Sequence, residues 1–80
     1  MKTPRDLKAS ELIKLLKQFG YVVTRQSGSH IRLTTTQQGE HHITIPNHSP
    51  LKIGTLNAIL ADIAEHLNIS KEVLSKNLFS

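Results

Sequence analysis

The spacing of apolar residues changes period twice along this chain, and that change restricts its fold more than any other feature. In TLNAILADIAEHL apolar residues recur at 56, 59, 60, 63, 64 and 67, the repeat of a helix with one buried stripe that must be covered by a sheet. Residues 3 to 20, TPRDLKASELIKLLKQFG, open with turn and capping residues. They then place Leu12, Ile13, Leu16 and Phe19 at helical spacing, with Lys14 and Lys17 off the stripe and Gly20 able to take the positive φ that ends a helix. Between these segments the period falls to two. YVVTRQ is β-branched and aromatic, SGS is a turn, HIRLTT alternates with Ile31 and Leu33 on one face, QQGE is a second turn, and HHITI alternates again. Three antiparallel strands joined by two hairpins follow. Pro46 ends the third strand because it has no N–H to donate. The loop PNHSPLKIG then leads to the second helix, expected to begin near Gly54 or Thr55. Asn68 fits a C-terminal cap, and Ser70 caps a terminal helix, KEVLSKNLF, that docks through Val73, Leu74 and Leu78. The expected fold is α+β in the order α-β-β-β-α, a three-stranded antiparallel sheet with helices on one face and a short C-terminal helix, forming one domain over residues 1–80.

Composition limits what such a scaffold can do. With 80 residues, no Trp and one Tyr, the core comes mainly from Leu, Ile and Val, and a cofactor-sized cavity would hollow it out. A surface site and no cofactor are expected. Ten Lys and Arg against six Asp and Glu, a formal charge of +4, favour a polyanionic partner such as nucleic acid or an acidic protein surface. The lack of cysteine excludes disulfides, thiolate zinc sites and a Cys nucleophile. No apolar run is long enough to span a bilayer, and MKTPRDLKAS has no apolar stretch after its lysine, so a soluble, cytoplasmic chain without a membrane partner is expected.

Five histidines invite a metal reading, which the spacing opposes. His41 and His42 are adjacent in a strand and point to opposite faces, and no Cys or paired carboxylate completes a tetrahedron. His66, near the end of the second helix, is accounted for by the negative dipole end. Asp6, Glu11, Glu40, Asp62, Glu65 and Glu72 are scattered, and Asp62 falls in the helical segment, so a Ser-His-Asp triad built on Ser27 or Ser29 is not expected. The stretch RQSGSHIRL, residues 25 to 33, is different. Ser27 and Gly28 allow a tight turn whose amides, with the Ser29 hydroxyl, can face an anion, and Arg25 and Arg32 flank it with guanidinium groups suited to phosphate. His30 follows directly, and strand alternation sends it with Arg32 and Thr34 to the open face. A histidine titrating near neutral pH can move a proton, and RNA carries its own nucleophile in the 2′-hydroxyl. The same residues also allow a hairpin histidine with no chemical role.

The order ELIKLLKQFGYVVTRQSGSHIRL, then GEHHITIPNHSPLKIGTLNAIL, resembles the HicA family of toxins from type II toxin-antitoxin systems, also described as YcfA-like mRNA interferases. The likeness spans about residues 9 to 75 and is most specific at Gly20, residues 25 to 30, Pro46 with His48, and Gly54-Thr55-Leu56. It implies a fold similar to the double-stranded RNA-binding domain, ribosome-independent RNA cleavage, and neutralisation by a HicB antitoxin. The family's catalytic histidine follows Gly-Ser, which carries over to His30. The second helix, continuing as ADIAEHLNIS, is longer than the family pattern implies. On this reading the chain is a metal-independent endoribonuclease with His30 as the proton-transfer residue and RNA contacts from Arg25, Gly28, Ser29, Arg32 and Lys52. His48 is a candidate second proton-transfer group, with a structural role in its loop preferred. The alternatives are a non-catalytic double-stranded RNA-binding module, touching an A-form groove through Lys14, Lys17, Lys52 and the hairpin, and an adaptor whose basic face meets an acidic protein.

Overall fold

The computed structural model describes residues 4–79. Helix α1 (Ala9–Leu16) is extended by one 3-10 turn (Lys17–Phe19). Strands β1 (Val22–Ser27), β2 (His30–Thr35) and β3 (His41–Pro46) follow, then helices α2 (Ile53–Leu67) and α3 (Lys71–Phe79). The strands pair antiparallel in the order β1-β2-β3. This is the expected α+β arrangement.

Capping chemistry sets the boundaries. Glu11 accepts from the backbone N–H of Lys8 at 2.9 Å, which closes the first turn of α1. Gly20 ends the following turn at φ +81°, and a Cβ there would stand 2.8 Å from Thr35 Oγ1 and 2.9 Å from Gln37 Nε2. Glycine is thus required twice over, for its backbone conformation and for the close approach. Thr35, itself buried, donates to the Phe19 carbonyl at 2.8 Å and accepts from Gln37 N–H at 3.1 Å. One hydroxyl therefore ties the end of α1 to the β2–β3 hairpin. Asn68 caps α2 in the left-handed region, and Ser70 Oγ accepts from Val73 N–H to start α3.

The core lies between one sheet face and the helices. Ile31, Leu33, Ile43 and Ile45 project from β2 and β3 against Leu12, Leu16, Leu56, Leu60, Ile63 and Leu67. Leu74 and Leu78 of α3 join them, whereas Val73 stays 47% exposed because it falls off the buried stripe of α3. Every residue of β1 is exposed, as befits an edge strand beyond the main helix cover. No helix among the described residues is long and apolar enough to cross a membrane.

Candidate nucleic-acid interface on the open sheet face

The β1–β2 hairpin turns on Gly28 and Ser29, between the facing pair Ser27 and His30. Of the two turn residues Gly28 alone has positive φ, +58°, the pattern of a II′ turn whose twist suits the strands it joins. A Cβ on Gly28 would meet nothing within 4 Å, so conformation is what demands glycine here. The exit of β3 is fastened to this turn, since Asn47 N–H donates to the Ser29 carbonyl at 2.6 Å.

Alternation along β2 buries Ile31, Leu33 and Thr35 and leaves His30 and Arg32 exposed with Thr34 half-buried. On β3, His42, Thr44 and Pro46 pair with Thr34, Arg32 and His30 and share their face. On β1 the ladder slips between Val23 and Arg25. Thr24 is the extra residue of a β-bulge, so the strand's alternation is reset. Val23 faces Leu33, but two residues later Arg25 faces Arg32, and Ser27 faces His30. The bulge therefore carries Arg25 to the open face, where unbroken alternation would have turned it toward the helices. Two arginines stand directly opposite each other, and among the described residues neither has a carboxylate in an ion pair. Like charges facing across a ladder are unfavourable by a few tenths of a kcal/mol up to about 1 kcal/mol, a cost that a bound anion between them would reverse. His30 lies one residue pair further along. Among the described residues its imidazole makes no hydrogen bond, whereas His41, His42 and His66 each make at least one.

The open face thus brings Arg25, Ser27, His30 and Arg32 together beside the Gly28–Ser29 turn. Lys52 is exposed at the N-cap of α2, beyond the loop tied to Ser29. His48 is exposed, and its backbone fills the structural role: its carbonyl accepts from Ala9 N–H at the start of α1, at 3.2 Å, and its N–H donates to Pro46. Among the described residues no three His, Asp or Glu converge as metal ligands.

Two side-chain networks were not legible from spacing. On the helix side, the buried Tyr21 hydroxyl lies 2.7 Å from His41 Nδ1, His41 Nε2 lies 3.1 Å from Asp62, and His66 stacks on His41 with centroids 4.3 Å apart. Burial, followed by the Asp62 carboxylate, pushes the Tyr21 pKa up to about 12. The phenol keeps its proton; Asp62 can only accept, so His41 Nε2–H donates to it, and the phenol is the donor available to Nδ1. His66 in turn donates to the Gln37 carbonyl at 2.9 Å. His41 is thus part of a packed cluster, and His66, in the last turn of α2 where the dipole account places it, stacks on its ring. Its sequence signal was parity: His41 shares the face of Ile43 and Ile45. Asp62 is engaged on the side of the sheet away from His30, as the argument against a triad requires. On the open face, Glu40, His42, Thr34 and Thr24 form the second network.

A family model described as the HicA toxin of bacterial toxin-antitoxin systems matches residues 9–64, well over half of the sequence. The chain belongs to the HicA toxin family. The HicA match runs from the first residue of α1 into α2 and holds the whole sheet, both turns and the loop bearing His48 and Lys52, while the end of α2 and α3 lie beyond it. No curated protein and no solved structure matches the chain.

Proposed function

We propose that this HicA toxin is an endoribonuclease that cuts RNA at the open sheet face, with His30 as the proton-transfer residue. The observation that carries the reading is the unengaged His30 imidazole beside two facing arginines without carboxylate partners. A phosphodiester held by Arg25 and Arg32, with the Gly28–Ser29 turn and Lys52 extending the contact, sets its neighbouring 2′-hydroxyl near the ring. Neutral His30 takes the 2′-hydroxyl proton as the oxygen attacks phosphorus. The bond to the 5′-oxygen breaks, that oxygen leaves with a proton returned from the imidazolium, and a 2′,3′-cyclic phosphate remains. The arginines offset the charge that builds on the phosphorane-like transition state. No step needs a group from outside the chain.

A toxin with an exposed basic face needs an antitoxin that covers it, and a HicB-type protein is the partner the family implies. Acidic or steric contacts over His30, Arg25 and Arg32 would remove the substrate site.

The test is RNA cleavage measured beside thermal melting for the wild type and His30→Ala. Because His30 is exposed, the variant should melt as the wild type does yet lose about 10²- to 10⁴-fold in rate. RNA affinity should fall far less. Equal rates in two equally folded proteins would remove His30 from the mechanism and favour a non-catalytic RNA-binding module.

A further inference from the structure

Glu40, His42, Thr34 and Thr24 form a hydrogen-bonded row across all three strands on the open face. Glu40 Oε2 is 2.7 Å from His42 Nε2, His42 Nδ1 is 2.8 Å from Thr34 Oγ1, and Thr34 Oγ1 is 3.0 Å from Thr24 Oγ1. The proposed chemistry at His30 uses none of them.

The row's hydrogens can be accounted for completely. Glu40 is an acceptor, so His42 Nε2–H donates to it. In the neutral ring Nδ1 then accepts from the Thr34 hydroxyl, whose oxygen accepts from Thr24. The weaker option for Thr24, the Arg32 carbonyl at 3.4 Å, is also internal. Protonating His42 reverses the run without changing its result: Nδ1–H donates to Thr34, Thr34 to Thr24, and Thr24 to the Arg32 carbonyl. In both states every polar hydrogen of the row is used within the protein. What remains for a ligand is lone pairs, on the two threonine oxygens and the second Glu40 oxygen. The row itself accepts hydrogen bonds and donates none.

The other end is its complement, since Arg25, Arg32 and the turn amides donate. The two ends are close together. Arg32 and Thr34 are two residues apart on one strand, about 6.6 Å, within the reach of a nucleotide's base from its own phosphate. The Glu40 carboxylate keeps phosphate away from the accepting end and leaves that end to the base.

We infer that Thr24, Thr34, His42 and Glu40 form a base-reading subsite that takes bases with an amino group on C6 of a purine or C4 of a pyrimidine, adenine or cytosine, and disfavours uracil. The amino groups on C6 of adenine and C4 of cytosine donate, whereas the corresponding position of uracil is a carbonyl, which an accepting surface repels. The inference rests on the open face being the RNA site and supplies its specificity.

The test uses fluorescence anisotropy with short oligoadenylate, oligocytidylate and oligouridylate on the His30→Ala background, so that the ligands survive. Adenylate and cytidylate should both bind roughly three- to tenfold more tightly than uridylate, the worth of about one net hydrogen bond. Requiring both excludes stacking strength, which would favour adenine alone. Thr34→Val, compatible with a strand position, should abolish the difference while leaving the salt dependence unchanged, and Thr34→Ser should restore it. Melting curves verify that the variants are folded. Uridylate binding as tightly as the others would overturn the subsite, as would Thr34→Val weakening all three equally. Wild-type cleavage of RNA without base preference would refute the subsite and spare the nuclease reading. Base-selective binding without wild-type cleavage would do the reverse.

Discussion

Replacing Tyr21 with Phe should reverse its effect on stability between neutral and strongly alkaline pH. The side chain is fully buried, and its hydroxyl makes one 2.7 Å hydrogen bond, to His41. At neutral pH Tyr21→Phe removes that donor and strands Nδ1 of a part-buried ring, at about 0.5 to 1.5 kcal/mol. At high pH the wild type carries its own liability. The pKa is raised from 10.0 to about 12 in the folded chain, so folding favours the protonated phenol. Its contribution is complete below pH 10.0 and is lost as pH rises through about 12. Two units at about 1.36 kcal/mol each set an upper bound near 2.7 kcal/mol. The hydroxyl meets His41, whose side chain is 18% exposed, so screening at this edge lowers the figure to about 1 to 2.5 kcal/mol. That is enough to cancel the hydrogen bond. The stability curves of wild type and Tyr21→Phe, from urea unfolding at a series of pH values, should converge above pH 10 and cross near pH 12. Lysine titration affects both proteins and drops out of the difference. With one Tyr and no Trp, ultraviolet absorbance reports this phenol alone. Phenolate appearing near pH 10 in a still-folded chain, or a stability difference constant with pH, would refute the reasoning.

Gly20→Ala should destabilise the fold by about 2 kcal/mol or more, measured by urea unfolding, because the new methyl takes a left-handed backbone and meets the buried Thr35 hydroxyl. RNA cleavage should survive exhaustive chelation, since His41 and His42 lie on opposite faces of β3; full loss restored by added zinc or magnesium would overturn the single-histidine mechanism. Saturation with a HicB-type antitoxin should abolish cleavage, with an interface of about 1,200 to 2,000 Å² over the open face; undiminished cleavage in the complex would exclude occlusion.

Local patterns in the sequence determined the scaffold. Periods of 3.6 and 2, punctuated by Gly20, the Ser-Gly-Ser turn and Pro46, fixed the element order, and alternation in HIRLTT put His30, Arg32 and Thr34 on the open face, because these rules depend on neighbours a few positions apart. Val73 shows their limit: it is apolar and next to Leu74, but the buried stripe of α3 runs through Leu74, Ser75 and Leu78 and leaves it outside. The site divides in the same way. His30 and Arg32 were legible from parity alone. Arg25 is on their face through the bulge at Thr24, a slip in pairing that nothing in VVTRQS announces, since it is expressed only against the partner strand. Tyr21, His41, Asp62 and His66 meet because α2 docks over the end of β3, which joins residues twenty or more positions apart. Such contacts follow from how faces pack, and tertiary structure alone decides them.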